Sequence, residues 1–286
     1  SIESVRVVAT SLTGEVKACT VASYGASRTA KACIATLATA LLSSVLSSAT
    51  LRAEELPVKS GQKIAFMGDS ITEAGAGPQG YVTLVIRGLE ANGVKAAALP
   101  AGISGHKSNQ MLERLDRDVL SKKPDWMTLS CGVNDVWHGA NGVPLDQYKK
   151  NITQIVEKCQ AAGVQVMILT STMIGEDQPN ENNQKLIPYN EFLRSLAKEK
   201  KCLLADLNAD MQAGITQTGP DKKGNLFTGD GVHMNPVGNE MMALGVLKAF
   251  GQKMVKKDIA GQKFWRWTAK HYVAPGPSRR GSMWLF

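Results

Sequence analysis

The chain has 286 residues, 43% of them hydrophobic and 20% charged, which supports a buried core and excludes both a disordered chain and a polytopic membrane protein. Its 33 Lys or Arg against 25 Asp or Glu give a formal net charge of +8, which would favour nucleic acid or a membrane surface if it were spread over the molecule. It is not spread: residues 1–53 hold five basic and two acidic residues, residues 248–286 hold nine and one, and residues 54–247 hold 19 and 22, so nearly all of the folded unit expected over 54–257 carries no basic excess and no nucleic-acid partner is expected.

In chain order, residues 1–53 read as a leader. No acidic residue lies between Lys17 and Ala53. Arg28 and Lys31 precede an apolar run from Ala32 to Leu46, and Ser47-Ser48-Ala49 supplies small residues at its exit. That is the pattern of a secretory signal peptide cleaved after Ala49 or Ala53, and it predicts an exported protein, periplasmic or extracellular. The run is too short and too rich in Ser and Thr to cross a bilayer as a helix, so no integral membrane span is expected. A buried Ala-rich helix and an acid-poor organellar transit peptide are the rival readings of the same segment.

Five apolar strand-like runs come next: Lys63–Met67, Val94–Leu99, Trp126–Ser130, Val164–Thr170 and Cys202–Leu207. Each precedes a segment of helical period. Val82, Val85, Ile86 and Leu89 share a face, as do Leu112, Leu115 and Val119, then Ile152, Ile155, Val156 and Cys159. Leu186, Tyr189, Leu193 and Leu196 make a fourth face, and Val237, Met241, Leu244 and Leu247 a last one. Pro144 and Pro236 suit first-turn positions, and Asp177–Gln184, polar with Pro179 and three Asn, reads as a mobile loop. Five β–α alternations with near-continuously apolar strands predict the α/β class: a three-layer α/β/α sandwich on a doubly wound, parallel, five-stranded sheet, flavodoxin-like in plan.

In such sheets ligands bind outside the carboxyl ends of the strands. The residues there are Gly68-Asp69-Ser70-Ile71-Thr72, Gly102-Ile103-Ser104-Gly105 and Gly132-Val133-Asn134-Asp135, with Asp230-Gly231-Val232-His233 just ahead of the last helix. Each block alone is an ordinary turn or cap. Together they offer what ester hydrolysis requires: a hydroxyl, a base to deprotonate it, a carboxylate to orient the base, and donors for a developing oxyanion. A rival reading from another class is a flavodoxin-like module in which Asp69–Ala76 cradles a phosphate or flavin, but it gives no reason for Asn134 or for Asp230 and His233.

The four blocks in this order resemble the SGNH (GDSL-type) hydrolase family, over roughly Gln62 to Phe250. The resemblance implies Ser70 as nucleophile, His233 as general base, Asp230 as its orienting partner, and an oxyanion hole made by the backbone N–H groups of Ser70 and Gly102 with the Asn134 side-chain amide. It implies no cofactor and no metal, and a small-molecule or glycan ester as the bound partner. One departure is Pro100-Ala101 ahead of Gly102, where relatives often carry a polar or basic residue. Secretion and the lack of a long apolar insertion favour small acyl or carbohydrate-borne acetyl esters; lysophospholipase or thioesterase action is the alternative within the family.

The remaining features read as structural. His106 and His138 are expected as solvated rim histidines, and Asp69 and Asp135 as loop-fixing carboxylates. Cys131, Cys159 and Cys202 include no C-x-x-C pair and imply no disulfide framework, and Cys131 and Cys202 read as small buried hydrophobes. Residues 258–286, with Trp265, Trp267, Trp284, Arg279 and Arg280 among Pro, Gly and Ser, are expected as a disordered basic tail.

Overall fold

The structure is a computed structural model that describes residues 4–10, 16–22, 57–218, 224–251, 254–259 and 262–267. The predicted signal segment, residues 28–49, and residues 268–286 of the predicted tail lie outside the described residues. The chain divides into two units, Ser1–Glu55 and Leu56–Phe286. In the first, Ser4–Thr10 (β1) and Val16–Ala22 (β2) pair antiparallel.

The central strands of the second unit are Lys63–Gly68 (β3), Ala97–Gly102 (β4), Trp126–Ser130 (β5), Gln165–Leu169 (β6) and Leu203–Ala205 (β7). They form one parallel sheet in the order β4-β3-β5-β6-β7. Eight α-helices are described: Ser70–Gly75 (α1), Tyr81–Ala91 (α2), Ser108–Asp118 (α3), Val133–Trp137 (α4), Leu145–Ala161 (α5), Glu181–Glu199 (α6), Leu207–Thr218 (α7) and Pro236–Ala249 (α8). Helices cover both sides of the sheet: α2 packs on α8 and α8 on α7, while α3 packs on α5 and α5 on α6. This is the three-layer α/β/α sandwich that the β–α alternation predicts. Downstream, Met254–Ile259 (β8) and Gln262–Trp267 (β9) pair antiparallel, across the expected boundary between residues 257 and 258.

Burial on both faces explains the strand composition. Ile64, Ala65, Phe66 and Met67 of β3 are fully buried, and every residue of β5 is buried, as covered parallel strands require. The strand order decides which loops become neighbours. Because β3 lies between β4 and β5, the loops after these three strands, which carry Gly102, Ser70 and Asn134, leave the sheet side by side.

Three expectations need correction. The second strand begins and ends three residues later than its apolar run, at Ala97–Gly102, and so contains Pro100. Proline is tolerated because β4 is an edge strand: the amides of Ala97 and Ile103 donate to Gln62 and Gly68, so odd-numbered amides face β3 and the one missing at Pro100 would face the open edge. The polar stretch expected as a loop is helical from Glu181 on, because Asn180 caps it by accepting from the Asn183 amide. Lastly, α7 fills the interval between β7 and the last helix, for which the sequence shows no helical face; just Leu207, Asn208 and Met211 of its 12 residues are buried, so it has little apolar period to read.

Candidate active site

The first strand exit turns directly into a helix. Asp69 Oδ1 accepts from the Ile71 amide at 2.9 Å, capping α1 and placing Ser70 at its first position, half-buried. Ser70 Oγ lies 3.0 Å from His233 Nε2, and His233 Nδ1 lies 2.6 Å from Asp230 Oδ2. The Asp230 carboxylate also accepts from the amides of Val232 at 2.9 Å and His233 at 2.7 Å. The bond from the His233 ring, then these amides, hold the Asp230 carboxyl down at about 2. An ionised Asp230 favours the tautomer with the proton on Nδ1, which leaves the Nε2 lone pair facing the serine hydroxyl. The structure thus brings together the three residues of the predicted triad across 163 positions of sequence.

Gly102 ends β4 against α1. A Cβ there would lie 2.2 Å from the Glu73 amide nitrogen and 2.7 Å from its Cα, so only glycine lets β4 approach the helix that carries Ser70. Asn134, buried at 4% exposure, is the second residue of α4, which follows Gly132 at φ +137°. Its Nδ2 donates to the His106 carbonyl at 3.2 Å. An amide nitrogen has two hydrogens, and one remains for a ligand oxygen.

Behind this rim is a buried polar scaffold. Asp69 and Asp135 are 2% and 3% exposed. Burial pushes Asp69 up to about 6, and burial also raises Asp135. Asp135 accepts from the Ser108 amide at 3.0 Å and hydroxyl at 2.6 Å, and from Cys131 Sγ at 3.4 Å, tying α4 to the start of α3. Both carboxylates fix backbone, the role expected of them. Cys131 and Cys159 are buried free thiols and Cys202 is half-buried.

The rival phosphate cradle loses its ground here. The Ile71 amide already serves Asp69, and the Glu73 carboxylate is bound by the Ser104 amide and hydroxyl, so a negative side chain occupies the segment where an anion would sit. Among the described residues no group of three His, Cys, Asp or Glu side chains converges as a metal site.

Three residues not singled out by sequence contribute. Arg114, 3% exposed, lies in α3 beneath the rim and bonds to the Gly68 and Ala101 carbonyls. Its position on the apolar face of Met111 and Leu115 was the available signal. Glu176 accepts from the amides of Leu226, Phe227 and Thr228 at 2.6 to 2.8 Å and from the Thr228 hydroxyl at 2.8 Å, pinning the start of the segment that carries Asp230 and His233. Trp137 ends α4 with its ring edge-on to His233, centroids 6.3 Å apart, yet 43% exposed. His138 is exposed, but His106 is not simply solvated: its Nδ1 accepts from Arg114 at 3.1 Å, and burial lowers its pKa.

Comparisons with known proteins converge on lipases and esterases. A family model for the GDSL-like lipase/acylhydrolase family matches residues 66–241. The acetylxylan esterase of Geobacillus stearothermophilus is 26% identical over 223 residues, 70% of this chain and 99% of that protein. Esterase TesA of Pseudomonas aeruginosa is 25% identical over 174 residues, 60% of this chain and 79% of that protein. Among solved structures, that of the acetyl xylan esterase AlAXEase superposes with a TM-score of 0.62 at 35% identity, covering 65% of this chain and 98% of the other.

Proposed function

The chain belongs to the GDSL-like lipase/acylhydrolase family and is an ester hydrolase, and from that premise we propose that it acts through an acyl-enzyme on Ser70, with acetyl and other small acyl esters carried on carbohydrate as substrates. Ser70 Oγ attacks the ester carbonyl and its proton passes to His233 Nε2, leaving an imidazolium that the Asp230 carboxylate stabilises. The tetrahedral oxyanion accepts from the Ser70 amide and from Asn134 Nδ2, whereas the Gly102 amide lies on the open-edge side of β4, because the Ile103 amide faces β3, and Gly102 serves the site by its close approach to α1. His233 then protonates the leaving alcohol. A water, deprotonated by the same imidazole, releases the acid and regenerates Ser70.

The observation that carries this reading is the unbroken line from Ser70 Oγ through His233 to Asp230, at 3.0 Å and 2.6 Å, on the rim where Gly102 and Asn134 also end. Two observations favour the substrate class. Acetyl xylan esterases recur among the relatives. The exposed ring of Trp137 beside His233 offers a flat apolar face on which a sugar ring can lie while its ester reaches Ser70. Export belongs to the same proposal, resting on the basic, apolar and small-residue pattern over residues 28–49.

The test compares p-nitrophenyl acetate, longer-chain p-nitrophenyl esters and acetylated xylo-oligosaccharides, with Ser70→Ala as control. Acetyl esters should be preferred, and the variant should lose about 10³-fold or more in kcat. A preference for chains of eight or more carbons would move the substrate to the lysophospholipase or thioesterase side.

A further inference from the structure

We propose that Glu73 is a specificity-determining residue: its carboxylate, held on the rim one helical turn from Ser70, admits esters of neutral, hydroxyl-bearing alcohols and turns away those whose leaving group is anionic. The inference rests on the reading of Ser70 as the nucleophile and narrows its substrates, setting acyl-coenzyme A thioesters and phosphate-bearing lipids aside.

Helix α1 buries Ile71, Thr72 and Gly75, so its open side carries Ser70, Glu73 and Ala74. Residues three apart on a helix are neighbours, with Cβ atoms about 5–6 Å apart. The Glu73 side chain is tied in place across the exit of β4. Its Oε2 accepts from the Ser104 amide at 2.8 Å and from the Ser104 hydroxyl, while Gly102 packs against its backbone. The Ser104 hydroxyl, then the amide, lower the Glu73 pKa, so the group is ionised at neutral pH. Its other oxygen, Oε1, accepts from no described residue. An ionised carboxylate is an acceptor only, so a sugar hydroxyl suits that oxygen and a phosphate or carboxylate does not.

The other charged groups around the rim are engaged elsewhere. Asp230 is ionised too, but it faces the His233 ring, which turns cationic as the ester is attacked. Arg114 is buried and pairs with Asp118 at 3.1 Å, His106 has its pKa lowered by burial, and Lys107 Nζ donates to the Asn141 carbonyl at 2.6 Å. Fixing the loop does not call for a charge at position 73. A glutamine oxygen would accept from Ser104 in the same way, and Asp69 already caps α1. What the carboxylate adds is a fixed negative charge beside the nucleophile, on the side of the rim where β4 ends.

The experiment compares three acetyl donors that differ in the charge of the leaving group: p-nitrophenyl acetate, 3-carboxy-4-nitrophenyl acetate and acetylthiocholine. In Glu73→Gln at low salt, kcat/KM for the carboxylated ester relative to p-nitrophenyl acetate should rise about 3- to 10-fold, and the same ratio for acetylthiocholine should fall by a similar factor. Glu199→Gln removes an equal charge from the last turn of α6, which leads into the start of β7 at the opposite rim, and should move neither ratio by more than about 1.5-fold. Unchanged ratios in folded Glu73→Gln, ratios that move in the same direction for both charged donors, or an equal effect of Glu199→Gln would each overturn the proposal. A measurement on the unaltered enzyme covers a variant that fails to fold. Between about 0.01 M and 1 M salt, over which screening shortens from about 30 Å to about 3 Å, the wild-type ratio for the carboxylated ester should rise at least about twofold, and a flat ratio would overturn the proposal equally. Ser70→Ala separates the two proposals. If it keeps wild-type turnover the acyl-enzyme reading falls; if it is inactive while Glu73→Gln keeps the wild-type ratios, only the role of Glu73 falls.

Discussion

At the scale of single residues, the proposed site divides into side chains placed to act on a substrate and side chains that bond to backbone. Asn134 is of the first kind. Asn134→Ala should lower kcat by about 10²- to 10³-fold on p-nitrophenyl acetate with KM changed little, because the donor matters most when the oxyanion forms; a rise in KM at constant kcat would make it a substrate-binding residue instead. Asp69 is of the second kind. Its carboxyl is raised by burial from the ordinary 3.8 to about 6, so folding favours the neutral form. The stability this gives is complete below about pH 3.8 and is lost as pH rises through 6, on the order of 2–3 kcal/mol. Asp69→Asn can still cap Ile71 and has no proton to lose, so its stability relative to the wild type, measured by urea unfolding, should rise between pH 4 and pH 7; a pH-independent difference would contradict this. The same division explains which site residues the sequence alone reveals. Ser70, Gly102, Asn134, Asp230 and His233 are legible as candidates because each is a chemically distinctive residue at a strand exit or ahead of a helix. Arg114 and Glu176 are not, because the contacts that tie them to the rim and to the Asp230–His233 segment run largely to backbone carbonyls and amides, which carry no side-chain identity.

At the scale of elements, the segment holding Asp230 and His233 is an irregular loop made rigid from beneath. Thr228 bridges to Met234, Asn235 Nδ2 donates to the Leu226 and Thr228 carbonyls, and the Glu176 carboxylate gathers three amides and a hydroxyl. Glu176→Gln replaces one acceptor oxygen by a donor facing those amides. It should cost about 2–4 kcal/mol, lower the melting temperature by roughly 5–15 °C, and speed amide exchange at Leu226, Phe227 and Thr228 before the rest of the sheet. Uniform exchange across the chain would count against a local clamp. The elements misread from sequence failed for physical reasons of the same sort. Pro100 looks like a strand end unless β4 is known to lie at the sheet edge, Asn180 looks like a loop residue unless it is seen capping Asn183, and α7 buries too few side chains to show a period.

At the scale of the whole molecule, the strand order does most to explain the site. The alternation of apolar runs and helical periods makes the parallel sheet legible, but not which strands are neighbours. With β3 between β4 and β5, three loops distant in sequence share one rim, and the last helix begins near it: the Tyr81 amide donates to Asn239 of α8, which follows His233 by six residues. The charge fits the same picture. The basic excess lies at the two ends, and residues 54–247, where an uncharged ester is to be cleaved, are slightly acidic, so no electrostatic attraction to an anionic partner is called for. The central claim is that Ser70 forms a covalent intermediate, and its most direct test is active-site titration with diethyl p-nitrophenyl phosphate followed by peptide mass spectrometry. One equivalent of p-nitrophenolate should be released per chain and the diethylphosphoryl group should be found on Ser70, with neither seen in Ser70→Ala; an adduct on a different residue, or continued ester hydrolysis by enzyme fully modified at Ser70, would contradict the account.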